Sequence, residues 1–359
     1  MAAKQYLMKI RKNMSYLNEA GCVRTNAMKS RLRSFCSRFS LALCVFSVAM
    51  AGCSGAVTGK ETKTASASTT PEVVFNADSA YHFVARQCGF GPRVPNSEAH
   101  VACGDYLSDY LRSCGAQVTE QKAALKAFDG TVLNARNVIA EFYPEKQSRV
   151  LLLAHWDCRP WADKDSDPAK RKKPVMGAND GASGTGVLLE IARLLRTNEP
   201  NVGIDILLLD AEDWGDDSGD NELSWALGAQ YWTAHPHRSG YQRPSYGILL
   251  DMVGDANAAF RKEYFSMKAA PGIVEHVWQT AAQLGHSGLF LNEWGGAITD
   301  DHVFVNAAGI PCIDIIDQRV DSAYGFCPQW HTSDDVMSHV SKRPLEAVGQ
   351  TLVALFFDK

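Results

Sequence analysis

RVLLLAHWD (149–157), GANDGASGTGVLLEIARLL (177–195) and IDILLLDAED (204–213) decide how this chain folds. The first carries an apolar run of strand length, Val150–Ala154, and the third another, Ile204–Leu209, broken only by Asp205. Between them Val187, Leu188, Ile191, Leu194 and Leu195 recur at helical spacing over Gly184–Leu195. Strands without alternation have no wet face, so both faces of their sheet must be covered, as in parallel sheets built from strand–helix–strand units. The same alternation extends outward. Asn137–Phe142, Tyr246–Asp251 and Ile310–Ile316 read as further strands, and 75–88, 97–114, 224–234, 271–284, 299–308 and 344–357 as helices. Helix 97–114 is expected to bury Val101, Tyr106, Leu107 and Leu111 on one stripe. No repeat of 20–50 residues interrupts the pattern. The expectation is one α/β domain over 71–359, a mainly parallel central sheet with helices on both faces.

In open sheets of this kind, ligands bind beyond the carboxyl ends of the strands. Those ends are polar here. Val150–Ala154 runs into His155-Trp156-Asp157, Ile204–Leu209 into Asp210-Ala211-Glu212-Asp213, and Ile248–Leu250 into Asp251. Gly177-Ala178-Asn179-Asp180-Gly181 precedes a helix, and Trp330-His331-Thr332 follows the last strand. A lone Asp at a strand end is usually a turn residue, but five such endings on one edge form a constellation. Catalytic zinc takes three His or carboxylate ligands and leaves a position open, and Asp180, Asp213 and His331 supply that set. Glu212, next to a ligand, is placed to act as a general base.

The order His-x-Asp, Gly-Ala-Asn-Asp-Gly-Ala-Ser-Gly, Asp-x-Glu-Asp, Leu-Asp-Met-Val-Gly, Asp-Asp-His and Trp-His-Thr resembles the motifs of zinc-dependent aminopeptidase-like exopeptidases. Within that superfamily it is most similar to animal-type glutaminyl-peptide cyclotransferases, including bacterial members. The likeness covers roughly 75–357. It implies an aminopeptidase-like (phosphorylase/hydrolase-like) fold, one zinc per chain and peptides or proteins with N-terminal Gln as substrates. Two readings share the residues. A two-metal aminopeptidase would add His155 and Asp251 around a second ion, with Asp180 bridging. The cyclase resemblance rests on Asp300-Asp301-His302, where aminopeptidases usually carry Ser-Asp-His, and on Trp330 before the last ligand.

By that resemblance Asp300 faces Asp251 and Glu212 in a hydrogen-bonded carboxylate network that shares a proton. Glu212, Asp251 and Asp300 are then the catalytic acids. Trp330, Phe326 and Ile298 align with the walls of the substrate pocket, and Trp214 and Trp225 are further candidates. Asp213 stands where a Glu is usual, and Asp314 where animal cyclases carry a His. A third reading, a non-catalytic binding module, would require lost ligands, and none is lost.

Composition is that of a globular protein, 46% hydrophobic and 21% charged over 359 residues. Residues 1–52 hold nine Lys/Arg against Glu19, a charge of +8; the whole chain carries −4, so the rest carries −12. So acidic a body is ill suited to phosphate backbones, and nucleic acid is not an expected partner. Lys29, Arg31, Arg33 and Arg38 precede an apolar run from Phe39 to Gly52, the form of a secretory signal and too short for a span of about 20 residues. Met50-Ala51-Gly52-Cys53 resembles a bacterial lipobox; an ordinary cleaved signal is the other reading, and Met28 is a second candidate start. Residues 53–70 read as a tether. A monomer in the periplasm or on the outer membrane, anchored through lipidated Cys53, is expected.

Six further cysteines include no Cys-x-x-Cys, and Cys103 and Cys114 read as buried thiols. Lys170–Lys173 reads as solvated surface, and His235 and His237 as surface imidazoles. Asp163, Asp165 and Asp167 lack the Gly and terminal Glu of a calcium loop. Cys158 has no evident base to make it a nucleophile.

Overall fold

The computed structural model describes residues 73–218, 221–235 and 237–357; residues 1–52, expected to be an export signal, Cys53 and the expected tether lie outside the described residues. Strands and helices follow in the order α1 (Ala77–Cys88), α2 (Glu98–Ser113), β1 (Gln117–Lys126), β2 (Val132–Phe142), β3 (Arg149–His155), α3 (Ala182–Leu195), β4 (Gly203–Leu209), α4 (Leu227–Ala234), β5 (Tyr246–Asp251), β6 (Phe260–Lys262), α5 (Tyr264–Ala269), α6 (Pro271–Gln283), β7 (Phe290–Trp294), α7 (Asp301–Ala307), β8 (Cys312–Ile316) and α8 (Lys342–Phe357). Six strands form one sheet in the order β1-β2-β4-β3-β5-β8, and β6 and β7 form a small parallel pair.

The apolar runs became the centre of the sheet. Every residue of β3 and β4 is buried, and β4, β3, β5 and β8 are mutually parallel. The strand expected at Asn137–Phe142 is longer and antiparallel to β4, and it pairs with β1 as a hairpin. β1 was missed because QVTEQKAALK lies at the sheet edge, exposed or half-buried throughout, so no apolar run marks it.

Helix α3 lies against the sheet with all but Arg193 of its residues buried. Its close approach depends on Gly184, where a Cβ would collide with the carbonyl oxygen of Leu250 on β5. Helix α2 corrects one expectation. Val101 is 48% exposed, and the buried stripe runs instead through His100, Cys103, Leu107 and Leu111 with Tyr106 at its margin. His100 is drawn inward because its Nε2 lies 2.8 Å from Asp210 Oδ2 while its ring stacks on Trp156 at 4.4 Å. Cys103 and Cys114 are buried free thiols, as is Cys158. His235 is exposed as expected, but the side chain of His237 is fully buried between Trp232 and Glu141. No described helix is long and apolar enough to cross a membrane.

The order of the parallel strands fixes where a ligand can bind. From β3 the chain crosses through α3 to β4 on one side, then returns through α4 to β5 on the other. That reversal around β3 opens a crevice at its carboxyl end, where His155 is the last strand residue.

Candidate active site

Four segments converge on this crevice, and each is tied down by a buried polar group. The turn after β3 carries Asp157, whose two oxygens accept the backbone N–H groups of Glu212 (3.2 Å) and Asp213 (3.3 Å) beyond β4. The loop before α3 carries Asp180. There Asp335 accepts the N–H of Asn179 (2.7 Å) and of Asp180 (3.0 Å), while Asn179 Oδ1 accepts the N–H of Gly254 (2.7 Å) beyond β5. Gly181 then turns into α3 with φ 92°, and its lack of a side chain leaves room for the carbonyl of Asp157 and the ring of His155. Arg93, fully buried, donates to the carbonyls of Trp156 (3.0 Å), Met176 (2.8 Å) and Gly177 (2.6 Å), joining the first two segments.

The backbone is strained where the functional side chains leave it. Ala211, Met252 and His331 all have positive φ, at 54°, 47° and 54°. Non-glycine residues in this region cost energy that packing must hold in place, and such residues gather at sites of function.

Asp180, Asp213 and His331 are brought together in the crevice. Their ligand-capable atoms all lie within 4.8 Å of one another. His331 Nε2 is 3.1 Å from Asp213 Oδ1 and 3.6 Å from Asp180 Oδ2. Tetrahedral zinc with ligand bonds of about 2.0–2.2 Å sets its ligands about 3.3 Å apart, so the residues present fit the ion. Asp213 Oδ1 has no hydrogen-bond partner although it is buried. Burial, with the Arg159 charge beside it, pushes the His331 imidazole down to about 3, so its neutral form has a nitrogen lone pair to offer. A second set shares Asp180. His155 Nε2 lies 3.0 Å from Asp180 Oδ1 and 3.2 Å from Asp251 Oδ1. Against burial, the carboxylates of Asp157, Asp180 and Asp251 around the ring raise the His155 imidazole well above its ordinary value.

A cavity of about 250 Å³ opens over these groups, lined at its floor by Asp180, Glu212, Asp213, Asp251, Asp300 and His331. Asp180, Asp213 and His331 all line the cavity; of the second set Asp180 and Asp251 do so and His155 does not. Burial, reinforced by the Asp300 charge, raises Glu212 well above the usual carboxylate range. Asp251 is pushed up to about 7 by burial, against the pull of His155 and with the help of Asp300. Burial also raises Asp300 itself; its Oδ1 accepts the N–H of Asp301 at the start of α7, and its Oδ2 has no partner. The three acids thus share one buried neighbourhood. The hydrogen bond that Asp251 makes is to His155, not to Asp300. Behind them His302 Nε2 lies 3.1 Å from Glu263, with Asp314 3.8 Å from its other nitrogen.

The aromatic walls are partly as expected. Trp330 stacks on His331 at 3.8 Å, Phe326 packs on Trp330 at 4.7 Å, and Trp225 faces the other side of His331 at 6.0 Å. All three line the cavity with Ile298. Trp214 does not. It turns away to meet Trp161 edge-on at 5.6 Å and donates its indole N–H to Asp129 (3.2 Å), because the adjacent Asp213 is held inward by Asp157.

Several supporting residues were missed. Asp163 binds Arg159, and Asp165 accepts from the N–H and hydroxyl of Ser333, pinning the His331 loop. Arg159 donates to the carbonyls of Asp213 and Gly215. Asp210, although it ends a ligand-bearing strand, is consumed by His100 and the N–H groups of Arg136 and Ala211. The Asp163–Asp165 pair was the signal available, and it speaks for loop pinning rather than calcium.

Buried carboxylates and imidazoles with ligand spacing, at a crevice of an open α/β sheet, define a metal-dependent enzyme acting on a small enclosed group. The chain belongs to peptidase family M28, whose family model matches residues 137–356. It is similar to the crystal structure of Bacteroides thetaiotaomicron glutaminyl cyclase bound to N-acetylhistamine, with 49% identity, 80% of this chain and 99% of that chain covered and a TM-score of 0.77. Porphyromonas gingivalis glutaminyl cyclase is 51% identical over 78% of this chain and 97% of that one, with a TM-score of 0.75. A structure described as a leucine aminopeptidase precursor, also from Bacteroides thetaiotaomicron, is 49% identical over 81% and 99%, with a TM-score of 0.76. Aminopeptidase YwaD of Bacillus subtilis is 28% identical over 68% of this chain, and the match spans only 49% of that longer relative.

Proposed function

We infer that the protein is a zinc-dependent glutaminyl cyclase, which converts the N-terminal glutamine of peptides to pyroglutamate and releases ammonia. The observation that carries this reading is that Glu212 and Asp300 line one cavity together with Trp330, Phe326, Trp225 and Ile298, close enough for the Asp300 charge to raise Glu212. Asp180, Asp213 and His331 would hold a single zinc. When bound there, zinc supplies Lewis acidity that polarises a carbonyl.

The remaining work falls to the chain. The aromatic walls and Ile298 enclose the glutamine side chain and exclude water, which favours ring closure over hydrolysis. Folding the side chain back brings its γ-carbonyl to the α-amine of the same residue, so confinement supplies the near-attack geometry without a second reactant. Glu212 takes a proton from the amine as the new C–N bond forms. The same proton returns to the departing nitrogen, which leaves as ammonia. Neighbouring carboxyls disfavour joint ionisation, so the Glu212–Asp300–Asp251 group keeps a proton among its members, and the shared charge makes Glu212 more basic than an ordinary carboxylate.

One zinc is proposed, at the set whose three members all line the cavity; His155 of the second set does not line it. Within the same proposal, residues 1–52 direct export and Cys53 carries a lipid that anchors a monomer at a bacterial envelope membrane; the basic-then-apolar sequence ending at Met50-Ala51-Gly52-Cys53 supports it.

The test is ammonia release from Gln-Ala and Leu-Ala peptides by the zinc-loaded protein, with zinc counted by mass spectrometry. Ammonia from Gln-Ala, intact Leu-Ala and about one zinc per chain are expected. Free Leu with two zincs per chain would establish the aminopeptidase reading instead.

A further inference from the structure

Asp300 and His302 at the start of α7 and Asp314 on β8 form a third group whose ligand-capable atoms all lie within 4.8 Å of one another. All three residues are buried, His302 and Asp314 completely. Among the described residues, Asp300 Oδ2, His302 Nδ1 and both carboxyl oxygens of Asp314 have no hydrogen-bond partner. Buried polar atoms are rarely left so, because each has given up water without a replacement. The state of His302 is set from its far side. Glu263 accepts the N–H groups of Phe265 (2.9 Å), Ser266 (2.6 Å) and Ile298 (3.0 Å) and the hydroxyl of Ser266 (2.8 Å), as an ionised carboxylate does. His302 Nε2, 3.1 Å from Glu263, is therefore the nitrogen that carries the proton. A second proton on Nδ1 would find no acceptor within hydrogen-bond distance, so Nδ1 turns a lone pair toward Asp314 Oδ2 at 3.8 Å. Lone pair facing carboxylate is an arrangement that a cation between them relieves. An imidazole whose other nitrogen is held by a carboxylate is also the form in which histidine binds metals.

We propose that Asp300, His302 and Asp314 form a further metal site, one that takes a zinc ion only when zinc is in excess. One histidine and two carboxylates suit zinc. Asp300 lines the cavity, so an ion can enter from there. The site fills after the Asp180–Asp213–His331 set for two reasons. Its 3.8 Å separation must contract by about 0.5 Å to reach the spacing that zinc sets, whereas His331 and Asp213 already stand 3.1 Å apart. An ion in the first set also repels a second. His155 competes poorly for that second ion, because its Nε2 is already engaged by Asp180 (3.0 Å) and Asp251 (3.2 Å). The site does not depend on which reaction the cavity performs. One consequence does rest on the cyclase reading. An ion on Asp300 draws it out of the group that shares a proton with Glu212, so excess zinc slows cyclisation through kcat.

The experiment locates zinc by anomalous scattering in crystals prepared at stoichiometric and at excess zinc. A single peak among Asp180, Asp213 and His331 is expected first, and a second among Asp300, His302 and Asp314 at excess. No second peak, or one at His155 and Asp251 instead, overturns the proposal, and this arm needs no variant to fold. In solution, calorimetric titration of the apoprotein should show a weaker zinc-binding step that His302→Gln and Asp314→Asn remove. Glu263→Gln, which keeps all three ligands, should weaken that step about 10–100-fold. A weaker step unchanged in all three variants overturns the assignment to these residues. Ammonia release from Gln-Ala should fall as the step fills, and Leu-Ala should stay intact, which separates this ion from a co-catalytic pair. Full activity with the site filled overturns the inhibition alone. Failure to cyclise any Gln peptide at any zinc level overturns the cyclase reading, and the second peak still decides the site.

Discussion

At the residue scale, Glu212 and His331 show how burial divides labour among chemically similar groups. Burial and the Asp300 charge make Glu212 a stronger base than an ordinary carboxylate, while burial keeps His331 neutral. Glu212→Gln is therefore expected to lower kcat by about 10²–10⁴-fold, with KM and zinc content little changed, as steady-state kinetics and metal analysis would show. His331→Ala should instead abolish zinc binding, read by titration of the apoprotein with zinc. As candidate ligands Asp180 and Asp213 were legible because they follow a glycine and a strand end, and His331 through the Trp-His-Thr motif. Asp335 and Arg93 were not, because a residue that holds backbone groups from 63 to 156 positions away leaves no local spacing.

At the scale of elements, the His331 loop is tied to the 159–165 segment chiefly through Asp165. The Ser333 hydroxyl and N–H, with the N–H of Asp167, hold its carboxyl down to about 2. A carboxyl depressed below its unfolded value of about 3.8–3.9 stabilises the fold fully above that value. The contribution disappears as pH falls through the folded value. Asp165→Ala should thus lower the melting temperature at neutral pH, and the gap to the unaltered protein should narrow between about pH 4 and pH 2. A gap that stayed constant over that window would refute this role. Gly184 offers a second test. Gly184→Val drives a side chain into the Leu250 carbonyl, and a loss of roughly 1–3 kcal/mol in denaturant unfolding is expected.

At the scale of the molecule, the buried parallel strands were legible because their apolar runs are all but continuous, and the helices because their periods are. β1, β6, β7 and α5 were not. They are short or lie at edges, where half-buried surface blurs the pattern. Trp214 was misplaced for a related reason: adjacency in sequence to a ligand does not say which way a side chain turns. Zinc held by Asp180, Asp213 and His331 would tie their segments together, so its removal by a chelator should lower the melting temperature, and added zinc should restore it. What separates a cyclase from a peptidase on this fold is the product of one reaction. A mass spectrum of a Gln-Ala-initiated peptide after incubation with the zinc-loaded protein distinguishes them at once. A product lighter by one ammonia, with every residue retained, is the expected result; a peptide shortened by its first residue would contradict the assignment.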